Sequence, residues 1–159
     1  VDTTRLVQET LRTLAHQLMQ RQVQVTVDPL PVVQADALAL AQIFGNLLGN
    51  AVAYLDPSRP GVLAITATQH PEQTVFMVQD NGRGIAAADI PHVFEPFRRV
   101  GRQDVPGEGM GLAYVQMLVR RHGGEITCQS TLGVGTTFTF TLAHRLPRAG
   151  SPAGPPRSA

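Results

Sequence analysis

Residues 36–55 read DALALAQIFGNLLGNAVAYL, and two patterns run through them at once. Leu40, Ile43, Phe44, Leu47, Leu48, Ala51 and Leu55 recur at the spacing of a helix that buries one face. Gln42, Asn46, Asn50 and Tyr54 follow one another at four-residue steps, so they share a second face beside the first. Asp36 is placed to cap the helix, because its carboxylate can accept bonds from the unpaired first-turn N–H groups. Asp56-Pro57-Ser58-Arg59-Pro60-Gly61 closes it with turn residues. A solvated helix face normally carries charge, yet no charged residue stands between Asp36 and Asp56. Asparagine also costs helix propensity, and amide oxygens suit a hard cation such as Mg²⁺. These facts leave a ligand-binding face and a plain polar face both open.

Outward from this helix, residues 4–20 carry Leu6, Val7, Leu11, Leu14, Leu18 and Met19 at helical spacing, which predicts one helix. Residues 23–27 alternate like a half-buried strand, and Val32-Val33 adds a short extended piece. Two strands are expected near 62–68 and 74–79, and two more near 125–130 and 136–142. Between the pairs lies a glycine-studded stretch, 80–111, with one short helix at 89–93; a connection this long is usually a functional lid or disordered. A helix over 110–122 ends on Gly123-Gly124, a C-cap signal. From residue 144 to 159 the composition turns to Pro, Gly, Ser, Ala and Arg, which reads as a flexible tail. The expected fold is an α/β two-layer sandwich, a mixed sheet of about five strands covered on one face by about three helices.

Bulk properties narrow the function. The 159 residues suit one domain, and no apolar run approaches the ~20 residues of a membrane span. A net charge of +1 offers nothing to nucleic acid or to a membrane surface. Cys128 is the single cysteine, so no internal disulfide forms and a cytoplasmic setting is expected. The chain has no lysine: its 13 basic residues are all arginines, which excludes a P-loop lysine and a Schiff-base lysine. Any phosphate must be held by backbone N–H groups, arginine or a metal ion.

Three glycine clusters follow. In Asp80-Asn81-Gly82-Arg83-Gly84-Ile85 a strand delivers an aspartate into a turn where glycines let the backbone approach a ligand; an Asx turn explains the same residues. Gly107-Glu108-Gly109-Met110-Gly111-Leu112 opens a helix, whose free N–H groups suit a polyphosphate. A dinucleotide fingerprint needs a strand just before its glycines, and here a loop precedes them. Gly133-Val134-Gly135-Thr136 alone is a turn between strands.

Taken in order, these segments resemble the ATPase family shared by gyrase, the ninety-kilodalton heat-shock chaperone, mismatch-repair ATPases and histidine kinases, and most closely its histidine-kinase branch. Residues 46–54 are similar to the N box, 80–85 to the first glycine box, and Phe94-Glu95-Pro96-Phe97-Arg98-Arg99 to the F box. Residues 107–112 and 133–136 are similar to the second and third glycine boxes. The resemblance implies a Mg-ATP-binding catalytic domain over residues 1–143 that phosphorylates a histidine on a separate dimerisation domain, the helix at 1–22 following that domain. The partners it implies are this histidine-bearing domain and a response-regulator receiver domain.

It also implies roles. Asn50 would coordinate Mg²⁺, with Asn46 supporting it, and Asp80 would accept the adenine amino group beside Thr136. Tyr54 would lie near the base or ribose, and Gly82, Gly84 and Ile85 would line the base pocket. Gly107, Gly109, Met110, Gly111 and Leu112 would wrap the phosphates as a lid within 80–111, with Phe94 and Phe97 anchoring it. Arg99 would reach the γ-phosphate or the partner domain. Two departures stand out. The branch usually has lysine before the N-box tyrosine, where this chain has Ala53; Arg59 and Arg99 are the cations that could replace it. None of His16, His70, His92, His122 and His144 has the acidic and proline context of the phospho-accepting motif. The alternatives are a nucleotide-binding interaction module without kinase activity, or a stand-alone ATPase, which usually has glutamate where Asn46 stands.

Overall fold

The computed structural model describes residues 1–96 and 111–144. Five strands form one mixed sheet: β1 (Gln24–Val27), β2 (Val62–Gln69), β3 (Gln73–Asp80), β4 (Ile126–Thr131) and β5 (Gly135–Ala143), in the order β1-β2-β3-β5-β4. β1 runs parallel to β2 and every other pair is antiparallel. The period-two alternation sends Leu63, Ile65, Phe76, Val78, Phe138, Phe140 and Leu142 to a buried face, while Thr137, Thr139 and Thr141 face outward. This is the expected two-layer α/β arrangement, with the helices on one face.

The principal helix, α3 (Ala37–Ala53), lies against that face. Asp36 caps it by accepting bonds from Leu38 N at 2.9 Å and Ala39 N at 3.1 Å, an arrangement worth about 1 kcal/mol. Phe44 packs edge-on against Phe76 and Phe140, with centroids 5.6 and 5.4 Å away. Phe76 and Phe140 stack across β3 and β5 at 5.0 Å. All three rings are fully buried, so Phe44→Ala would cost about 3–5 kcal/mol and is the single change best placed to undo the core.

Helix α4 (Gly111–Arg121) packs beside α3, and His122 ties their far ends together. Its Nε2 accepts from Asp36 N at 3.2 Å, which leaves the proton on Nδ1 to be donated to Leu118 O at 2.9 Å. The expected helix over 110–122 therefore begins, within the described residues, at Gly111.

Two expectations are corrected. The single helix over 4–20 is two helices, α1 (Thr3–Thr13) and α2 (Ala15–Gln20), broken at Leu14. Thr10 and Thr13 turn their hydroxyls back onto Leu6 O and Thr10 O at 2.8 and 2.7 Å, and Leu14 N bonds Leu11 O in a tightened last turn. The helix at 89–93 is only a 3-10 turn, Ile90–His92, with Pro91 in its first turn. Val32 does extend, in an isolated bridge to Asp2. No described helix is long and apolar enough to cross a membrane.

Candidate functional site

The sheet brings together residues far apart in the chain. Asp80 ends β3 opposite Thr136 at the start of β5, and Thr136 pairs in turn with Ser130 on β4. Asp80 is buried, and its Oδ1 accepts the Gly82 N–H at 2.8 Å. The Thr136 N–H is a second donor to this carboxylate. Burial outweighs both bonds and pushes the Asp80 carboxyl up to about 6. The group is thus a carboxylate at neutral pH with acceptor capacity still unused, in a nearly dry position.

Glycines bring the backbone close around it. A methyl group on Gly82 would overlap the Tyr54 carbonyl oxygen and come within 2.9 Å of Asp80 Oδ1. Arg83 N donates to that same Tyr54 carbonyl at 2.9 Å, so the turn after β3 sits on the C-terminal end of α3. Gly84 has φ of +73° and lies against the Thr131 carbonyl, so both conformation and space require glycine there. Gly135 passes directly over the Asp80 carbonyl.

On α3, Gln42, Asn46, Asn50 and Tyr54 are half-buried along one stripe. Asn46 donates from Nδ2 to Gln42 O at 2.9 Å, which leaves its Oδ1 directed elsewhere. A methyl group on Gly111 would lie 2.8 Å from that oxygen, so the first residue of α4 closes over Asn46. The Asn50 side chain makes no hydrogen bond among the described residues. Among those residues, too, no cluster of three His, Cys, Asp or Glu could hold a metal ion. The stripe offers the amide oxygens of Gln42, Asn46 and Asn50 and the Tyr54 phenol, with no carboxylate, thiol or imidazole among them. That suits Mg²⁺, which keeps several waters and takes further oxygens from phosphate.

Phe94 is half-buried and meets Phe138 edge-on at 6.2 Å, and Leu112 packs onto the core from α4. Ile85 donates its N–H to Ser130 Oγ at 2.7 Å. Phe97, Arg99, Gly107, Gly109 and Met110 lie outside the described residues.

Arg59 takes a part the sequence reading did not foresee. Its guanidinium donates to Asn81 O, Gly82 O and Val134 O at 2.7–3.2 Å. Asn81 secures the same corner, accepting from Val62 N at 2.7 Å and donating to Pro60 O at 3.0 Å. Ser130 was also missed, although alternation on β4 placed it in line with Ile126 and Cys128 on the inward face. Cys128 is a poor nucleophile, because burial and then the Asp80 charge push its thiol up to about 11.

Residues 35–146 match the family described as histidine kinase-, DNA gyrase B- and HSP90-like ATPases. The sensor histidine kinase ZraS of Escherichia coli K12 is 33% identical over 151 residues, which cover 93% of this chain and 31% of ZraS. The chain therefore spans about a third of that relative's length. Among solved structures, the mycobacterial sensor histidine kinase MprB superposes with a TM-score of 0.78 at 28% identity, covering 92% of this chain and 99% of that one. Full-length ShkA, solved in complex with AMPPNP, matches with a TM-score of 0.76 at 28% identity, over 92% of this chain and 31% of ShkA. With the family model spanning the N-box helix and the Asp80–Thr136 pair alike, the chain belongs to the histidine kinase-, DNA gyrase B- and HSP90-like ATPases, as an ATPase catalytic domain of the sensor histidine kinase type.

Proposed function

We propose that this domain binds Mg-ATP between α3, the Asp80 turn and the start of α4, and transfers the γ-phosphoryl group to a histidine on a separate dimerisation domain. The observation that carries the reading is the buried, acceptor-only Asp80 carboxylate set beside Thr136, one turn of backbone from the polar stripe of α3. Asp80 accepts a hydrogen bond from the adenine amino group, with Thr136 as its neighbour on the base. Gly82, Gly84 and Ile85 line the base, and Tyr54 lies by the base or ribose. Asn50 would coordinate Mg²⁺ and Asn46 would support it; the Asn50 amide, without a hydrogen bond among the described residues, favours this. When bound, Mg²⁺ neutralises charge on the polyphosphate.

Gly111 and Leu112 start α4, whose N-terminal N–H groups and dipole favour phosphate oxygens. Phe94 anchors the lid, Gly107, Gly109 and Met110 line it, and Arg99 reaches the γ-phosphate or the partner domain. Asn46, an amide, cannot deprotonate water, so the domain favours transfer to a nucleophile over hydrolysis. The incoming imidazole nitrogen forms a bond to the γ-phosphorus as the bond to the bridging oxygen breaks and ADP leaves. The domain contributes position and electrostatics, and the nucleophile comes from outside it. In the whole protein the phosphoryl group then passes to a receiver-domain aspartate, in the cytoplasm where ATP is supplied.

The test supplies labelled Mg-ATP to the domain, alone and with the histidine-bearing domain of the same protein. Acid-labile label should appear on the added domain and not on this chain. Self-labelling of the isolated chain, or no transfer while ATP binds, contradicts the reading.

A further inference from the structure

Ser130 has three neighbours at hydrogen-bonding distance and only one proton to give. Its Oγ lies 2.7 Å from Ile85 N, 2.9 Å from Gly135 O and 2.8 Å from Thr136 Oγ1. A hydroxyl carries one donor and two acceptor lone pairs. The Ile85 N–H can only donate, so it occupies one lone pair. The Gly135 carbonyl can only accept, so it takes the Ser130 proton; any other assignment sets two oxygen lone pairs against each other at 2.9 Å. What remains on Ser130 is one lone pair, and the Thr136 hydroxyl must donate into it. The Thr136 proton is thereby held at the back of the pocket.

The consequence falls on the base site. With its proton committed, Thr136 Oγ1 presents only lone pairs. Asp80, its cross-strand partner, is a carboxylate and also accepts only. We propose that Ser130 is a specificity-determining positioning residue: by holding the Thr136 proton it makes the base pocket acceptor-only, which selects a 6-amino purine over a 6-oxo purine. An exocyclic amine donates to such a pair, whereas a 6-oxo group sets a third acceptor against it. The same polarity passes through a bridging water. Such a water donates one proton to Thr136 and offers its other to ring N1, unprotonated in a 6-amino purine and protonated in a 6-oxo one. The inference rests on the proposal that Asp80 and Thr136 receive the base.

The experiment compares ATP with inosine triphosphate, which differs from it only around position 6, by calorimetric titration in Mg²⁺. The parent should prefer ATP. Ser130→Ala should reduce that preference about tenfold, chiefly by improving relative binding of inosine triphosphate, because the freed Thr136 hydroxyl can then turn and donate. Ser130→Thr keeps the hydroxyl and should keep the preference. Ser130→Cys, close in size but a weak donor and acceptor, should lose it as Ser130→Ala does, and serves if the alanine variant fails to fold. A merely structural serine, fastening Ile85, would weaken both nucleotides equally. An unchanged ATP-to-inosine-triphosphate ratio in Ser130→Ala or Ser130→Cys overturns the inference while leaving the base pocket standing. A parent that binds both equally overturns the base-pocket reading itself.

Discussion

Arg59 grips the carbonyl oxygen of Asn81 with two nitrogens, Nε at 3.0 Å and Nη2 at 2.7 Å. Nη2 also bonds Gly82 O and Val134 O, at 2.9 and 3.2 Å. One side chain on the loop after α3 thus holds the Asp80 turn and the β4–β5 turn together, and those turns frame the proposed base pocket. Arg59→Ala should cost about 1–3 kcal/mol of stability, the scale of hydrogen bonds to a charged group, and should weaken ATP as well. Arg59→Lys should recover little, since an ammonium lacks the planar fork that reaches three carbonyls. Chemical denaturation measures both, and a lysine variant as stable as the parent would contradict the clamp.

Arg59 is committed to carbonyls, and position 53 of the helix carries no cation of its own. Ala53 is half-buried on α3, one turn past Asn50. Ala53→Lys should therefore tighten Mg-ATP by about 1 kcal/mol, a gain that shrinks as salt screens the contact. Unchanged affinity at low salt would mean another group already meets the phosphates.

Gly111 and Asn46 are close enough that an added methyl would meet Asn46 Oδ1 at 2.8 Å. An amide at the end of a side chain can swing away, so Gly111→Ala should leave the unfolding midpoint nearly unchanged. It should nevertheless weaken nucleotide binding in the presence of Mg²⁺, because Asn46 and the opening of α4 would both shift. A large loss of stability with normal binding would put Gly111 in the packing and not in the site.

Asp80 makes both stability and binding pH-dependent, with opposite signs. Its folded-state value of about 6 lies above the unfolded value of 3.8, so the folded protein binds the extra proton between them. Stability of the nucleotide-free domain should then rise as pH falls from about 6 to about 4, by no more than about 3 kcal/mol from this group. With Asp80 as the proposed acceptor for adenine, ATP affinity should fall over the same interval. Asp80→Asn should remove this contribution to the pH slope and weaken ATP by about 1.5–3 kcal/mol. Titrations of the parent and this variant at pH 5 and 7 check the signs; ATP binding that strengthens on acidification contradicts them.

The parts legible in the sequence are those carried by local pattern. The apolar stripe and the Asp36 cap bounded α3 to within two residues of its observed end, and all five strands lie close to where they were expected. The break at Leu14 was hidden because apolar spacing continues through it, while its cause is the hydroxyls of Thr10 and Thr13 competing for the backbone. Asp80 and Thr136 could each be singled out, but their adjacency depends on β5 inserting between β3 and β4. Ser130 and Arg59 were illegible for the same reason. Ser130 joins β4 to β5 and to the loop at Ile85, Arg59 acts on carbonyls of two distant turns, and neither relation leaves a mark in local spacing.

Occupation of the site between Asn50 and Asp80 by Mg-ATP is the central claim. A non-hydrolysable ATP analogue titrated into the domain, with and without Mg²⁺, tests this directly, with Asn50→Ala and Asp80→Asn in parallel. The parent should bind saturably and more tightly with Mg²⁺. Asn50→Ala should keep the fold and lose the Mg²⁺-dependent gain, and Asp80→Asn should weaken binding in both conditions. No binding by the parent in either condition, or parent-like binding by both variants, would contradict the account.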